Sequence, residues 1–558
     1  MQTEDVELAT GQESTLGAGN SNAAPGPALL ESESPTLEDN KNASHERVPP
    51  FSIFTKGEKW TLIAMTSYAG FLSAISSSMY FPAIPTLATD FHTSVSLMNL
   101  TITTYLIFQG ISPVFWAPLA DVKGRRPIYL ACLSLLCVTC VAIALVPLDK
   151  WWLLLLFRCF QSSGSASTIA MAAGVVSDIA LPQERGTFLG VSTLGALLGP
   201  SIGPVIGGVF AGTLGWRWIF WFMCIAAGVC FTLILLFLPE TLRHIVGDGS
   251  IIAPWWDRPL VPLIGPHRRQ RHNDDSNSKE PSPQSSTPTR KKAPTRMNPL
   301  LLLFQLDAVC CLLCNSFGFS VFTAMQAVMA VVFQRNYPYL NETDIGLCYL
   351  PTGLGMMGGS FLTGRFLDRI YKRDRRAWIE ANQADDTKGT EKSLGGDGQN
   401  DALAQDERAQ QELELTFPLE RARLKSALAY SSLIGLMALG FGWTVDQKVQ
   451  LAVPLIFQFV LGWSVIGQGN SFQTLLIDNF PKQGSSTTAM NNLFRCTLAA
   501  GLTSVINLIL NAIGIGWTLT LIAGVFLVLT PMLTLVVLRI GPKWRRRRME
   551  ASWNDSTR

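Results

Sequence analysis

The sequence predicts an all-α membrane protein, with twelve spanning helices arranged as two bundles of six. Three observations carry that expectation. Of 558 residues, 48% are apolar and 15% charged, with fifteen Trp and thirty Phe, and a soluble chain of this length rarely has such a composition. Apolar runs of about twenty residues, the length a helix needs to cross a bilayer, recur twelve times. A long polar break follows the sixth run, so the chain reads as six, a linker, and six again.

In order, residues 1–55 form an acidic tail of Glu, Asp, Ser, Gly and Pro with no hydrophobic period, expected to be disordered and cytosolic. The first bundle occupies 56–240, with spans near 60–82, 96–117, 128–147, 151–175, 188–210 and 217–238. A cytosolic linker rich in Pro, Ser, Arg and Lys covers 241–298. The second bundle occupies 299–540, with spans near 303–331, 344–364, 425–444, 450–473, 487–510 and 516–538. A cytosolic insert at 371–420 separates its second and third spans, and 541–558 is a basic cytosolic tail. Lys and Arg gather on one side: Gly124-Arg125-Arg126, Arg243, Arg268 to Arg271, Arg365 to Arg376, Arg421 to Lys425, and Lys543 to Arg548. The opposite loops are short and carry few basic residues, so both termini are expected to face the cytosol. Asn341-Glu342-Thr343 is a glycosylation sequon on the outer side, close to the membrane.

Chemistry of other classes is missing its parts. Five His, no Ser/His/Asp set and no phosphate loop argue against an enzyme. The eleven cysteines lie almost wholly inside apolar runs, and pairs such as Cys137/Cys140 and Cys311/Cys314 have no His beside them. They read as packing residues, with neither a metal nor an organic cofactor expected. Nothing in the charge pattern suggests a nucleic-acid partner.

The fifth span carries the most regular pattern, Gly195, Gly199, Gly203 and Gly207 at intervals of four, with Pro200, Pro204 and Gly208 among them. Such a stripe has no side chains along one helix face, so a neighbouring helix can approach almost backbone to backbone. Each proline removes a backbone donor and bends the helix. The spacing admits two readings: a tight helix–helix contact, or a hinge on which two bundles rock.

That pattern resembles the antiporter motif of the major facilitator superfamily, where it marks exporters. Ala117-Pro-Leu-Ala-Asp121-Val-Lys-Gly124-Arg125-Arg126 resembles the signature cytosolic loop of the same family, with Ala117 in place of a glycine and Val122 where a basic residue is common. The resemblance implies a latch of Asp121, Arg125 and Asp178, supported by Gly124 and Arg126, that holds the outward-facing state. Gly364-Arg365-Phe-Leu-Asp368-Arg369 repeats the spacing in the second half, as a duplicated two-bundle transporter predicts. Arg158 and Gln161 in the fourth span resemble an Arg-xx-Gln motif implicated in proton coupling. With Pro239-Glu240-Thr241 closing the sixth span, the chain looks like the quinidine-resistance branch of the fungal twelve-span drug:proton antiporters, beside organic-acid and secondary-metabolite exporters. The resemblance implies a monomeric, proton-driven exporter of a small organic molecule in the plasma membrane, with a vacuolar or other organelle membrane as the alternative.

Two guanidinium groups stand at membrane depth, and an always-charged side chain there is costly unless it serves a cavity or an ion path. Arg158 is expected either to face a wet cavity or to snorkel to the outer interface. Arg495 shares a helix face with Asn491 and Asn492, and Gln458, Gln468, Asn470 and Gln473 of the tenth span are expected to add uncharged hydrogen-bonding groups to the pathway. Asp307 opens the seventh span: it is expected to be interfacial and structural if the helix begins near it, or buried and able to carry a proton if the helix begins at Pro299. With two cations and no secure buried acid, the cavity is expected to favour carboxylates over permanent cations. A multidrug pump for cations, an importer and a sensor of the same fold are the competing readings.

Overall fold

The computed structural model describes residues 52–247, scattered positions between 251 and 264, and residues 303–390, 418–480 and 484–556. The expected acidic tail to residue 51, and the greater part of the linker and of the insert, lie outside the described residues.

Among the described residues, ten helical runs are long and apolar enough to cross a membrane. One of them, Thr487–Arg548, contains two helices, because the backbone breaks at Gly514 (φ 80°, ψ 171°), a left-handed conformation that favours glycine. Trp151–Ile179 is a further spanning helix whose apolar character is diluted by Arg158, Gln161 and a run of Ser and Thr. The spans are therefore, in order, Lys56–Ser78, Val95–Lys123, Arg125–Ala144, Trp151–Ile179, Pro182–Thr213, Arg217–Phe237, Leu306–Asn336, Leu350–Thr390, Ala427–Asp446 and Ala452–Asn479, then spans eleven and twelve on either side of Gly514 within Gly484–Ser556.

Local signals set several boundaries. Thr55 and Glu58 form a reciprocal capping box that opens span one, and Ser94 accepts from the Leu97 N–H to open span two. Gly124, at φ 112°, ends span two and starts span three within a single residue. Other helices outrun their apolar runs. Span eight continues to Thr390 and the last helix to Ser556, so the expected basic tail after residue 540 is helical for most of its length. Hydropathy marks only the part of a helix that sits in lipid, whereas backbone hydrogen bonding propagates into polar sequence until something interrupts it.

The packing repeats between the halves. Span one lies on span five, two on four, and three on six; correspondingly, seven lies on the eleven–twelve helix, eight on ten, and nine on the eleven–twelve helix. Two seams join the halves, span two against span eleven and span five against span eight, and these exchange under the same repeat. A short helix, Glu342–Leu347, precedes span eight and also packs on span five.

Candidate functional site

The glycine stripe of span five is a contact surface. A Cβ added at Gly195, Gly199, Gly203 or Gly207 would collide respectively with Ser67, Ala74, Ser78 and Met79 of span one or the residue just after it. The Ser78 hydroxyl donates to the Gly199 carbonyl at 3.0 Å. Span five stays helical through Pro200 and Pro204. Gly208 points instead at the second half: a Cβ there would meet the Glu342 carbonyl at 2.6 Å and Gly346 Cα at 2.8 Å. Thr86 hydrogen-bonds Glu342, and the Phe81 ring stacks on Tyr349 at 6.3 Å. These contacts close the two halves at the end of the bundle opposite the loop after span two. Asn341 spends its side-chain oxygen capping Glu342–Leu347, accepting from the Asp344 N–H at 2.9 Å, and remains exposed.

The loop after span two forms an ionic cluster. Arg125 reaches Asp121 at 2.7 Å and Asp178 at 3.1 Å, and Gly174 leaves the space in which its guanidinium lies. Glu240 completes the cluster in a way that sequence reasoning missed. Buried at the end of span six, its carboxylate accepts from four backbone N–H groups, those of Arg125 (2.9 Å), Arg126 (3.1 Å), Thr241 (2.9 Å) and Leu242 (2.9 Å). Charged acceptors suit the unsatisfied donors of a helix N-terminus. Gly124 is required here twice over, by its positive φ and because any Cβ would collide with Glu240. Arg126 donates to the Leu235 carbonyl at 2.9 Å. The acidic partners of Arg125 both belong to the first half, so these ion pairs tie spans two, three and four within one bundle.

The second-half echo lies on span eight. Gly364 has open space around it, Arg365 lies over the Phe361 ring at 3.9 Å, and Arg369 is exposed; the side chain of Asp368 lies outside the described residues. Among the described residues, ionic contacts of the second half include Arg423 with Asp478 at 2.8 Å, Arg545 with Glu420 at 3.3 Å, and Arg548 with Asp307 at 2.6 Å. Asp307 does stand in the first turn of span seven, yet it is only 2% exposed. Arg548, on the helical extension after span twelve, covers and pairs it.

Arg158 neither snorkels nor faces an open cavity. It is 1% exposed, sandwiched between the rings of Tyr80 (4.4 Å) and Tyr105 (4.3 Å). One nitrogen donates to Gln161 Oε1 at 2.7 Å and to the Ser76 carbonyl at 3.3 Å, while Nε and Nη2 have no hydrogen-bond partner among the described residues. Burying an uncompensated guanidinium costs several kcal/mol, and each desolvated ring contact offsets about 2 kcal/mol of it. Sequence could not foresee this enclosure, because Tyr80 and Tyr105 come from other segments.

Arg495 is partly exposed. Its Cζ lies 4.4 Å from the Phe319 ring centroid, Nη2 donates to Asn492 Oδ1 at 3.0 Å, and Nε is unpartnered among the described residues. Asn491 accepts from Asn315 at 2.7 Å and donates to Gln473 at 2.8 Å. Asn492 reaches the other half, donating to the Gln109 carbonyl of span two at 2.9 Å. That carbonyl is available because Pro113, four residues on, has no N–H to give it. Gly110 lets span eleven in: a Cβ there would lie 3.1 Å from Cys496 Cβ. Pro113 was the available sequence signal.

Gln458 and Gln468 are not brought to this cluster. Gln458 accepts from Thr352 at 2.9 Å and points its amide at Met329 Sδ, while Gln468 donates to the Cys314 carbonyl at 2.8 Å. Both are buried in contacts within the second half. Of the span-ten groups expected in the pathway, Gln473 joins the cluster by accepting from Asn491. In the central turns of the spans, Arg158 and Arg495 are the charged residues; Asp, Glu, Lys and His stand at helix ends, in loops or on polar helical extensions.

Known proteins resemble the chain over most of its length. Residues 66–381 match the family model described as Major Facilitator Superfamily. The chain is 33% identical to "Citrate exporter 1" of Aspergillus niger, over 94% of this chain and 94% of that protein. It is also 33% identical to "MFS antiporter QDR2" of Candida albicans, over 91% of this chain and 93% of that protein. Among solved structures, a D-xylose-proton symporter shares the fold with a TM-score of 0.57 at 12% identity, covering 85% of this chain and 97% of that one. Twelve spans in two repeating halves, the ionic loop after span two and relatives matched over nearly their whole length place the chain in one family: it belongs to the Major Facilitator Superfamily, as a multi-pass membrane transporter.

Proposed function

We propose that this transporter exports a small organic acid, or an acidic metabolite, from the cytosol across the plasma membrane. The observation that carries this reading is Arg495, a partly exposed guanidinium at mid-span with an aromatic face behind it and no carboxylate among its described contacts. A carboxylate supplied by the cargo neutralises it, whereas a permanent cation is repelled in the low dielectric of the membrane interior. Arg158, sealed between two tyrosines, adds positive potential without an open edge. The name of the citrate exporter supports an acidic cargo, and that of the Candida protein supports antiport.

On this reading both termini lie in the cytosol, the protein works as a monomer, and the proton gradient drives export. Acids able to carry the proton stand at the helix ends, in the Asp121–Asp178–Glu240 cluster, since among the described residues none is paired with the two guanidiniums. The glycine stripe supports the exporter direction through its resemblance to the antiporter motif.

The test is transport into inside-out vesicles under an imposed pH gradient. Citrate or succinate should accumulate and Arg495→Gln should reduce that uptake at least about ten-fold, the loss of one charge-assisted contact. Accumulation of a quaternary ammonium dye, with carboxylates ignored, overturns the acid reading in favour of a cation pump. Purified protein that moves neither points to a sensor.

A further inference from the structure

We infer that Asn492 is the positioning residue that couples Arg495 to the opposite half of the protein, an inference that rests on reading Arg495 as the anion contact. The Asn492 amide is used at both ends. Its oxygen accepts from Arg495 Nη2 at 3.0 Å, with Cys496 Sγ at 3.7 Å, and its nitrogen donates to the Gln109 carbonyl at 2.9 Å. An amide is rigid and planar, so what fixes the oxygen also aims the nitrogen.

The receiving carbonyl is a consequence of Pro113. In an unbroken helix the Gln109 oxygen would accept from the N–H of residue 113; proline has none, and the oxygen is left for a donor from outside. Gly110 removes the side chain that would hold span eleven away. On the other side of the joint, Asn491 is bound to Asn315 and Gln473, both in the second half. Two adjacent asparagines thus divide the work: Asn491 fastens span eleven to its own bundle, and Asn492 fastens it to the other.

A cargo carboxylate at Arg495 competes for the guanidinium N–H groups. Once Nη2 turns to the cargo, the Asn492 oxygen loses its anchor, the amide is free to rotate, and the hydrogen bond to Gln109 loses alignment. Occupancy of the site in one half thereby loosens the seam with the other half, a differential interaction of the kind that any ligand-driven change of state requires.

The full-length protein in nanodiscs tests this by pulsed electron spin resonance. Labels are placed on the exposed positions Phe115 and Val505, carried on encoded non-natural side chains because eleven native cysteines would confuse thiol chemistry. Pro113→Ala returns an N–H to the Gln109 carbonyl and dissolves the joint without touching Arg495 or Asn492; Asn492→Val dissolves it from the other side. Without ligand, both variants should raise the minor distance population at least about five-fold over wild type, and to a similar extent. Wild-type distance distributions in either variant overturn the proposal, as does a shift in Asn492→Val that Pro113→Ala fails to reproduce. With citrate as probe, the wild-type distribution should shift, and neither joint variant should shift further. If citrate shifts nothing and is not transported, the organic-acid reading fails, while the ligand-free distances still decide the joint. Citrate that is transported but shifts the joint variants as much as wild type overturns the coupling role.

Discussion

The two seams between the halves are related by the internal repeat, yet they are built from opposite materials. The five–eight seam is made of absence: Gly208 faces Gly346 and the Glu342 carbonyl, and Gly353 leaves room for Ser201. Backbone meets backbone, and packing at that distance is all or nothing. The two–eleven seam has one glycine, Gly110, and a polar joint from Asn492 to a proline-freed carbonyl. A hydrogen bond between neutral groups is worth about 1 kcal/mol net, so it can break and re-form during a transport cycle. The comparison assigns closure of one face to shape and sensing at mid-depth to polarity.

The largest expected effect breaks the steric seam. In Gly346→Leu a Cβ would meet the Pro204 carbonyl at 2.7 Å and Gly208 Cα at 3.0 Å, before any longer side chain is placed. An overpacking penalty of about 1–3 kcal/mol falls on the closed state alone, shifting its population by roughly 5- to 150-fold. Efflux should collapse while the melting temperature in detergent changes little. A large fall in melting temperature would show instead that the seam holds the fold together.

Gly199→Leu sharpens the contrast, because its obstacle is Ala74 of span one, inside the first bundle. Here the penalty, again about 1–3 kcal/mol, falls on every state of the cycle, so thermal stability should drop along with efflux. If efflux disappears with the melting temperature unchanged, span five is a hinge, and the contact with span one is not what its glycines serve.

The smallest effect separates the two acids of the ionic loop. Asp178 has a side chain only 10% exposed, whereas that of Asp121 is 51% exposed. Removing the exposed partner should cost less than about 1 kcal/mol and removing the buried one about 1 kcal/mol or slightly more, since Arg125 keeps Asp121 as a counter-ion, measured by thermal unfolding of Asp178→Ala and Asp121→Ala. Equal costs would mean that water screens neither pair, and that Asp121 is enclosed in the working protein.

Sequence alone determined the twelve spans, their six-and-six grouping and the closeness that span five permits, because a bilayer imposes length and hydropathy on each helix separately and glycine spacing is a property of one helix. It also determined that Arg158 and Arg495 stand at membrane depth, since few charges interrupt the apolar runs. Their surroundings were decided by tertiary structure. Arg158 became sealed because Tyr80 and Tyr105 arrive from other segments, and Asp307 became buried because a helix starting nearly two hundred residues later extends over it. Gln458 and Gln468 were drawn into helix packing while Gln473, expected with them, reached Asn491, because which face of a nearly all-apolar helix meets which neighbour is a property of the bundle. The ion pairs of the second half follow the same rule: spacing fixes where residues fall along the chain, while Arg423 with Asp478 and Arg545 with Glu420 pair because the folded bundle brings them within reach.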